Sequence, residues 1–115
     1  MVTKTVLIVD DEEDIRDSLK DALDDEGYSV LAAANGQEAL RLLPILTRPC
    51  AIILDIIMPV MSGTEFYKHL RANPEMADIP VLISTSDPSR APQSVPVMKK
   101  PVNLDRMLAV VAALF

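Results

Sequence analysis

The sequence of 115 residues contains a single cysteine, Cys50, so no internal disulfide can form and nothing points to an oxidising compartment. Long hydrophobic runs are also missing: the longest apolar stretch, Met107 to Phe115, is far too short to span a bilayer. The N-terminus has neither the apolar length nor the cleavage pattern of a signal peptide. From the sequence we therefore expect a soluble, cytoplasmic protein that has no membrane partner.

Positive charge is scarce as well. Lys and Arg together number 11 against 17 Asp and Glu residues, which leaves a net charge of -6. A chain of this sign is repelled by phosphate backbones and anionic lipids, so we expect no direct nucleic-acid binding. Apolar residues make up 50% of the chain. This composition and length predict that residues 1–115 form a single domain with its own buried core.

Short apolar runs alternate with segments of helical periodicity along the chain. Strands are predicted for residues 5–9 and for the runs YSVLAAA, CAIILD, IPVLIST and VPVMKK. Gly27 predicts a helix stop, Ser62 with Glu65 forms a capping box, and Asn103 is expected to cap the last helix. Strands that are apolar on both faces and alternate with helices are typical of a covered parallel sheet. The sequence therefore predicts a doubly wound α/β fold with five parallel strands.

Polar residues stand at the ends of four predicted strands: Asp10 and Asp11, Asp55, Thr85 and Lys100. In a doubly wound sheet the ligand site lies outside the carboxyl ends of the strands, so these side chains should converge. Three carboxylates that are held together repel one another unless a cation lies among them. A hard divalent cation, Mg²⁺ above all, accepts such oxygen ligands and keeps positions for water and phosphate oxygens.

The motifs LIVDDEEDIR, ILDIIMPVMSG, IPVLISTS and KKP occur in this order, each at a strand end. From Lys4 to Phe115 the chain resembles the response-regulator receiver domain of two-component signalling. The resemblance implies a flavodoxin-like strand order, 2-1-3-4-5, with helices on both faces. It also implies a signalling domain that catalyses only its own phosphorylation and dephosphorylation and is otherwise not an enzyme. The domain would take a phosphoryl group from a sensor histidine kinase or a histidine phosphotransfer protein and act on an unknown downstream protein.

The resemblance also implies a role for each matching residue. Asp55 would be the phosphoacceptor, a carboxylate nucleophile that forms an acyl phosphate. Asp10 and Asp11 would hold Mg²⁺ together with Asp55 and the backbone carbonyl of Ile57. The metal and the positioned groups would neutralise and orient the phosphoryl oxygens, which is most of what phosphoryl transfer requires.

Two further residues complete the site that the resemblance implies. Thr85 would offer its hydroxyl to a phosphoryl oxygen, and Lys100 would pair with the phosphoryl group through its ammonium. The Lys100–Pro101 peptide bond is expected to be cis. We interpret Glu12 as part of a solvated first helical turn, with contact to the metal through water as the alternative, and His69 as a surface residue.

Each of these residues also has an ordinary structural interpretation. Asp10 and Asp11 could cap a helix, and Asp55 could be a turn residue. Thr85 could be a strand threonine, and Lys100 a solvated lysine. Two other classes use related chemistry. A hydrolase of the haloacid dehalogenase type needs a second Asp two residues after the nucleophile, where this chain has Ile57. A flavodoxin-like mononucleotide carrier needs a hydroxyl- and Gly-rich loop after the first strand, where this chain has DDEED. The receiver interpretation is therefore favoured.

The segment between Thr85 and Lys100 departs from the receiver pattern. It has only 14 residues, SDPSRAPQSVPVMK, where a receiver normally fits a full fourth helix and a fifth strand. Prolines recur in it at every fourth position: Pro88, Pro92 and Pro96. An interior proline costs a helix about 3 kcal/mol. We predict that the fourth helix is absent or a single turn capped by Asp87.

A second departure lies three residues before Lys100, where the family often has an aromatic switch residue and this chain has Val97. A valine cannot swing between buried and exposed positions as a tyrosine does. Together with the proline-rich residues 86–96, this predicts an atypical output face. Since the chain closes with the last predicted helix, we expect either a stand-alone receiver or one module of a longer chain.

Overall fold

The computed structural model describes residues 4–44, 49 and 51–114. The strands are β1 (Thr5–Val9), β2 (Ser29–Ala33), β3 (Ala51–Asp55), β4 (Val81–Thr85) and β5 (Val97–Lys99). The α-helices are α1 (Glu13–Asp25), α2 (Gly36–Leu42), α3 (Gly63–Ala72) and α4 (Leu104–Ala113). Within the described ranges, no helix is both long and apolar enough to cross a membrane. Cys50, the first residue of the predicted strand CAIILD, lies outside the described residues.

The five strands form one parallel sheet in the order β2-β1-β3-β4-β5. Every residue of β3 and β4 is buried, which follows from their central positions and from helices on both faces. β2 lies at one edge of the sheet, and its first residue, Ser29, is exposed. The predicted doubly wound fold and its strand order are confirmed.

Successive side chains of the strands pack on opposite faces of the sheet. On the α2/α3 face, Leu54 and Ile83 join a buried cluster with Phe66 of α3. On the α1/α4 face, Ile53 joins a second cluster, whose buried members from the two helices are Leu19, Leu23, Met107 and Val111. The two apolar clusters hold all four helices against the sheet.

Local signals in the sequence set several helix ends. The Ser62 hydroxyl accepts a hydrogen bond from the Glu65 N–H at 3.2 Å, and Asn103 Oδ1 accepts from the Arg106 N–H at 3.0 Å. Gly27 follows α1 with a φ of +91°, a left-handed backbone that glycine adopts without strain. These predicted start and stop signals are confirmed.

The connection from β4 to β5 contains one 3₁₀ turn, Pro88–Arg90, and no α-helix. Asp87 Oδ1 accepts from the Ser89 N–H at 3.2 Å, which is the predicted cap. Ala91 is extended, with φ −74° and ψ 147°, as expected for the residue that precedes Pro92. The prediction of a single turn here is confirmed. The protein does have a fourth α-helix in chain order, α4, but it follows β5 and corresponds to the last predicted helix.

Candidate functional site

A row of polar side chains crosses the carboxyl end of the sheet on the α1/α4 face. Asp55 pairs in register with Ser84 of β4, which pairs with Met98 of β5. Asp10 directly follows β1, whose last residue pairs with Leu54, so Asp10 comes beside Asp55. The three polar members are almost fully buried: Asp10, Asp55 and Ser84, at 2%, 3% and 2% exposure. We call these three residues the polar row.

Four carboxylates meet at one end of this row. One oxygen from each of Asp10, Asp11, Glu12 and Asp55 lies within 4.8 Å of the others. Asp10 and Asp55 are buried, whereas Asp11 and Glu12 are exposed. Carboxylate oxygens at this spacing, with an open side toward solvent, fit a hard cation that prefers oxygen ligands, such as Mg²⁺. The structure therefore brings together the three predicted carboxylate ligands and adds Glu12 to them.

Lys100 extends its ammonium group into the carboxylate cluster. Its Nζ lies 2.9 Å from Asp10 Oδ2, 3.1 Å from Glu12 Oε1 and 3.3 Å from Asp55 Oδ2. Since β4 lies between β5 and β3 in the sheet, the Lys100 side chain must cross the end of β4 to reach these oxygens. Only 11% of that side chain is exposed, so Lys100 is part of the site and is not a solvated surface lysine.

Burial and charge shift the ionisation of both partners. Burial, with the nearby charge of Asp10, raises the pKa of Asp55 to about 6, although Lys100 and the Ile57 N–H oppose the shift. Burial lowers the pKa of Lys100, but its hydrogen bond to Asp10 and the charges of Asp10 and Asp55 outweigh this, so that its pKa is raised above the ordinary value. Lys100 therefore remains a cation, while the charged form of Asp55 is disfavoured by its surroundings.

The loop after β3 holds a backbone donor against Asp55. The Ile57 N–H donates to Asp55 Oδ1 at 3.1 Å. The loop folds back on the strand, since the Gly63 N–H donates to the Ile56 carbonyl at 2.8 Å. A Cβ atom at Gly63 would lie 2.0 Å from the Asp55 carbonyl oxygen, so only glycine allows α3 to begin this close to the end of β3. The backbone of Ile57 is thereby fixed beside the carboxylate.

Thr85, the last residue of β4, is hydrogen-bonded to the residue that follows β5. Thr85 is fully buried, and its Oγ1 accepts from the Asp87 N–H at 3.1 Å, which leaves the hydroxyl proton for another acceptor. The Thr85 carbonyl accepts from the Lys100 N–H at 2.9 Å, which fixes where the Lys100 side chain begins. The Lys100–Pro101 peptide bond is cis, as predicted.

Comparison with known proteins decides the family. Residues 6–112 match the family described as "Response regulator receiver domain". The chain belongs to this family. "Response regulator MprA" of Mycolicibacterium vanbaalenii is 35% identical over 116 residues, which cover 95% of this chain and 49% of that protein. MprA of Mycobacterium avium is 34% identical, with 95% and 50% covered. The chain thus spans about half the length of these curated relatives.

Solved structures agree with this assignment. The chemotaxis protein CheY4 of Vibrio cholerae superimposes with a TM-score of 0.89 at 32% identity, over 99% of this chain and 100% of that one. The response regulator TrrA of Thermotoga maritima, solved in complex with Mg²⁺-BeF, gives 0.86 at 33% identity, over 98% and 100%. The prediction of a two-component receiver domain is confirmed.

The sequence did not predict two of the residues that the structure places beside Asp55, Glu12 of the carboxylate cluster and Ser84 of the polar row. Glu12 contacts Lys100 directly at 3.1 Å, whereas the sequence predicts a solvated residue of the first helical turn. Ser84 was not singled out at all. Its position in the apolar run VLIST was visible, and strand alternation alone would have placed it on the same face as Leu82. His69 is exposed, as predicted.

Proposed function

We propose that this receiver domain accepts a phosphoryl group on Asp55 from a sensor histidine kinase or a histidine phosphotransfer protein. Mg²⁺ would be held by Asp10, Asp11, Asp55 and the backbone carbonyl of Ile57. The observation that carries the proposal is the close contact of a buried carboxylate, Asp55, with both a four-carboxylate cluster and the Lys100 ammonium. A nucleophilic carboxylate, acidic ligands for a metal and a cation for phosphoryl oxygens are what phosphoryl transfer to an aspartate requires.

Asp55 suits the role of nucleophile better than its neighbours in the cluster. It ends a central strand, and the Ile57 N–H fixes its orientation. Its raised pKa, about 6, marks a more basic carboxylate that is still mostly ionised at neutral pH. Asp10 is fixed by the Glu12 N–H at 2.9 Å and by Lys100 at 2.9 Å. This arrangement makes Asp10 better suited to hold a cation than to attack phosphorus.

The remaining groups would stabilise the transferred phosphoryl group. Mg²⁺, when bound, supplies charge neutralisation for the phosphoryl oxygens. The Lys100 ammonium would exchange its contact with Asp10 for a phosphoryl oxygen, since the metal then neutralises that carboxylate. The Thr85 hydroxyl, whose proton is not used by the Asp87 N–H contact, would donate to another phosphoryl oxygen. The domain then acts as a signalling module that changes shape and contacts a downstream protein.

Phosphate incorporation from acetyl phosphate with Mg²⁺ tests this proposal. The wild-type protein should gain one phosphoryl group that is acid-stable and is released by hydroxylamine, as an acyl phosphate is. Asp55→Asn should gain none, because an amide is a poor nucleophile. Asp25→Asn, an exposed position at the end of α1, is the matched control and should label normally. Normal labelling of Asp55→Asn would refute the assignment.

The output of the domain is also a proposal. The connection between β4 and β5 has one 3₁₀ turn where a receiver normally has a full helix, and Val97 replaces the aromatic switch residue. We infer that residues 86–96 form a proline-stiffened loop and that the domain does not dimerise through this face as other receivers do. Its signal would leave through the loop itself or through another surface. A phosphorylation-induced dimer that substitutions in residues 86–96 abolish would contradict this inference. The cytoplasmic location expected from the sequence stays a prediction.

A further inference from the structure

Ser84 has a buried hydroxyl that no described residue hydrogen-bonds. Its Oγ has no exposed surface to speak of and no hydrogen-bond partner among the described residues. A buried hydroxyl that makes no hydrogen bond destabilises a fold, and an alanine at the same position would avoid this cost. An unpaired buried hydroxyl is rare in native proteins, and a role in catalysis is one of the few explanations for it.

The position of Ser84 places this hydroxyl against the reacting carboxylate. Ser84 pairs in register with Asp55, and both side chains lie on the α1/α4 face. Met98 lies on its other side. The Lys100 side chain crosses the end of β4 on its way to Asp55, and Ser84 is 2% exposed. Asp55 is therefore the polar neighbour of Ser84 within its cross-strand row.

In the resting structure both oxygens of Asp55 already have donors. Oδ1 accepts from the Ile57 N–H at 3.1 Å, and Oδ2 accepts from Lys100 Nζ at 3.3 Å. Phosphoryl transfer changes this arrangement, because the Lys100 ammonium then pairs with phosphoryl oxygens. The carboxylate oxygen that Lys100 leaves then lacks this donor, and Ser84, the in-register partner of Asp55, carries a hydroxyl with no partner among the described residues.

We propose that the Ser84 hydroxyl donates a hydrogen bond to the Asp55 carboxylate as phosphorus leaves it, and so shortens the lifetime of the phosphorylated state. The inference rests on the proposed phosphorylation of Asp55. In hydrolysis the oxygen of a water molecule bonds to phosphorus while the bond between phosphorus and the Asp55 oxygen breaks. The bonding electrons stay on the carboxylate, and both water protons leave with the phosphate as dihydrogen phosphate. Ser84 loses no proton; it stabilises the negative charge that grows on the departing carboxylate oxygen.

The lifetime of the acyl phosphate tests the inference. The protein is labelled with acetyl phosphate and Mg²⁺, freed of the donor, and followed by phosphate release. Ser84→Ala should lengthen the half-life about tenfold, as expected when a hydrogen bond to a developing charge is lost. Ser84→Thr keeps a hydroxyl on a residue that favours strands and should restore a half-life near that of the wild type. Ser29→Ala, an exposed strand serine in β2, should leave it unchanged.

A stability measurement separates this role from a structural one. The unphosphorylated, metal-free Ser84→Ala protein should melt at the same temperature as the wild type or higher, since an unpaired buried hydroxyl is removed. The inference would be overturned if the Ser84→Ala protein had the half-life of the wild type, or if Ser84→Thr behaved like Ser84→Ala. Either result would leave the proposed phosphorylation of Asp55 intact. A wild-type protein that takes up no phosphate would overturn both.

Discussion

The same strands end differently on the two faces of the sheet. On the α2/α3 face the last register row consists of Val9, Leu54 and Ile83, all with 0% exposure. One residue further along, the side chains point to the α1/α4 face and are the polar row, Asp10, Asp55 and Ser84. Because successive strand residues alternate between faces, a shift of one position leads from apolar core side chains to the polar side chains of the candidate site. The apolar row packs in the core, and the polar row follows it by one residue on the same strands.

The two rows contribute to stability with opposite signs. The apolar row gains free energy by burial of hydrocarbon surface. The polar row buries two carboxylates side by side, and the pKa of Asp55 is raised as a result. It also leaves the Ser84 hydroxyl without a hydrogen-bond partner in the part of the chain that the structure describes. Each of these features costs stability in the absence of a metal or phosphoryl group. Residues that serve a protein's function often lower the stability of its fold in this way.

The largest expected effect comes from the apolar row. Ile83→Ala should lower the free energy of unfolding by about 2–5 kcal/mol, because it leaves a cavity beside Leu54 at the centre of the sheet. Ser84→Ala, the adjacent residue on the other face, is the matched control and should not destabilise the protein. Urea unfolding of both variants measures the difference. Equal losses at the two positions would contradict the contrast between the faces.

A smaller effect of opposite sign is expected within the polar row. The pKa of Asp55 is raised from 3.8 to about 6, so the folded state binds this proton more tightly than the unfolded state. The stabilisation by Asp55 is then present below about pH 4 and is lost as the pH rises through about 6. In metal-free protein, Asp55→Asn should therefore be more stable than the wild type by about 1–3 kcal/mol at pH 7.

Unfolding measured between pH 4 and pH 7.5 checks the sign of this difference. The advantage of the Asn variant should shrink toward zero as the pH falls to 4, because Asp55 is then protonated in both states. An Asn variant that is less stable than the wild type at pH 7 would show that Lys100 more than compensates the repulsion from Asp10.

A third measurement concerns the binding of Mg²⁺ to the carboxylate cluster. If Mg²⁺ binds only the folded state, a concentration ten times its Kd should stabilise the protein by about 1.4 kcal/mol and raise its melting temperature. The shift should disappear in Asp11→Ala, which lacks a proposed ligand. It should persist in Asp21→Ala, an exposed acidic position on α1. An unchanged melting curve of the wild type with Mg²⁺ would argue against a metal at this edge.

The smallest effect is expected at the rim of the site. Glu12 contacts Lys100 at 3.1 Å, but its side chain is 58% exposed. Solvent screens such a pair, and Lys100 keeps its contacts with Asp10 and Asp55 when Glu12 is replaced. Glu12→Gln should change the free energy of unfolding by less than about 1 kcal/mol. A larger loss of unfolding free energy, measured by thermal or urea unfolding, would show that Glu12 contributes to the stability of the site.

The sequence was sufficient to predict the elements that depend on local patterns. The apolar runs, the caps at Ser62 and Asn103 and the prolines between β4 and β5 each act within a few residues of the chain, and all were found where expected. The convergence of Asp10, Asp55 and Lys100 was also predictable, because a parallel sheet brings its strand ends together.

Contacts that depend on side-chain length and register could not be predicted in this way. Whether Lys100 reaches Glu12 depends on how far its side chain crosses β4, and no spacing in the sequence reports that distance. The cap of α2, in which Asn35 Oδ1 accepts from the Glu38 N–H at 2.9 Å, was not predicted. The unpaired state of Ser84 became visible only with its neighbours in three dimensions.

A crystal structure of the protein with Mg²⁺ and beryllofluoride, a phosphoryl mimic, tests the central claim most directly. The account predicts beryllofluoride bonded to an Asp55 oxygen and Mg²⁺ in contact with Asp10, Asp11, Asp55 and the Ile57 carbonyl. It also predicts that Lys100 Nζ moves from Asp10 to a fluoride. Beryllofluoride on another carboxylate, or a Lys100 that still contacts Asp10 beside an unmodified Asp55, would contradict it.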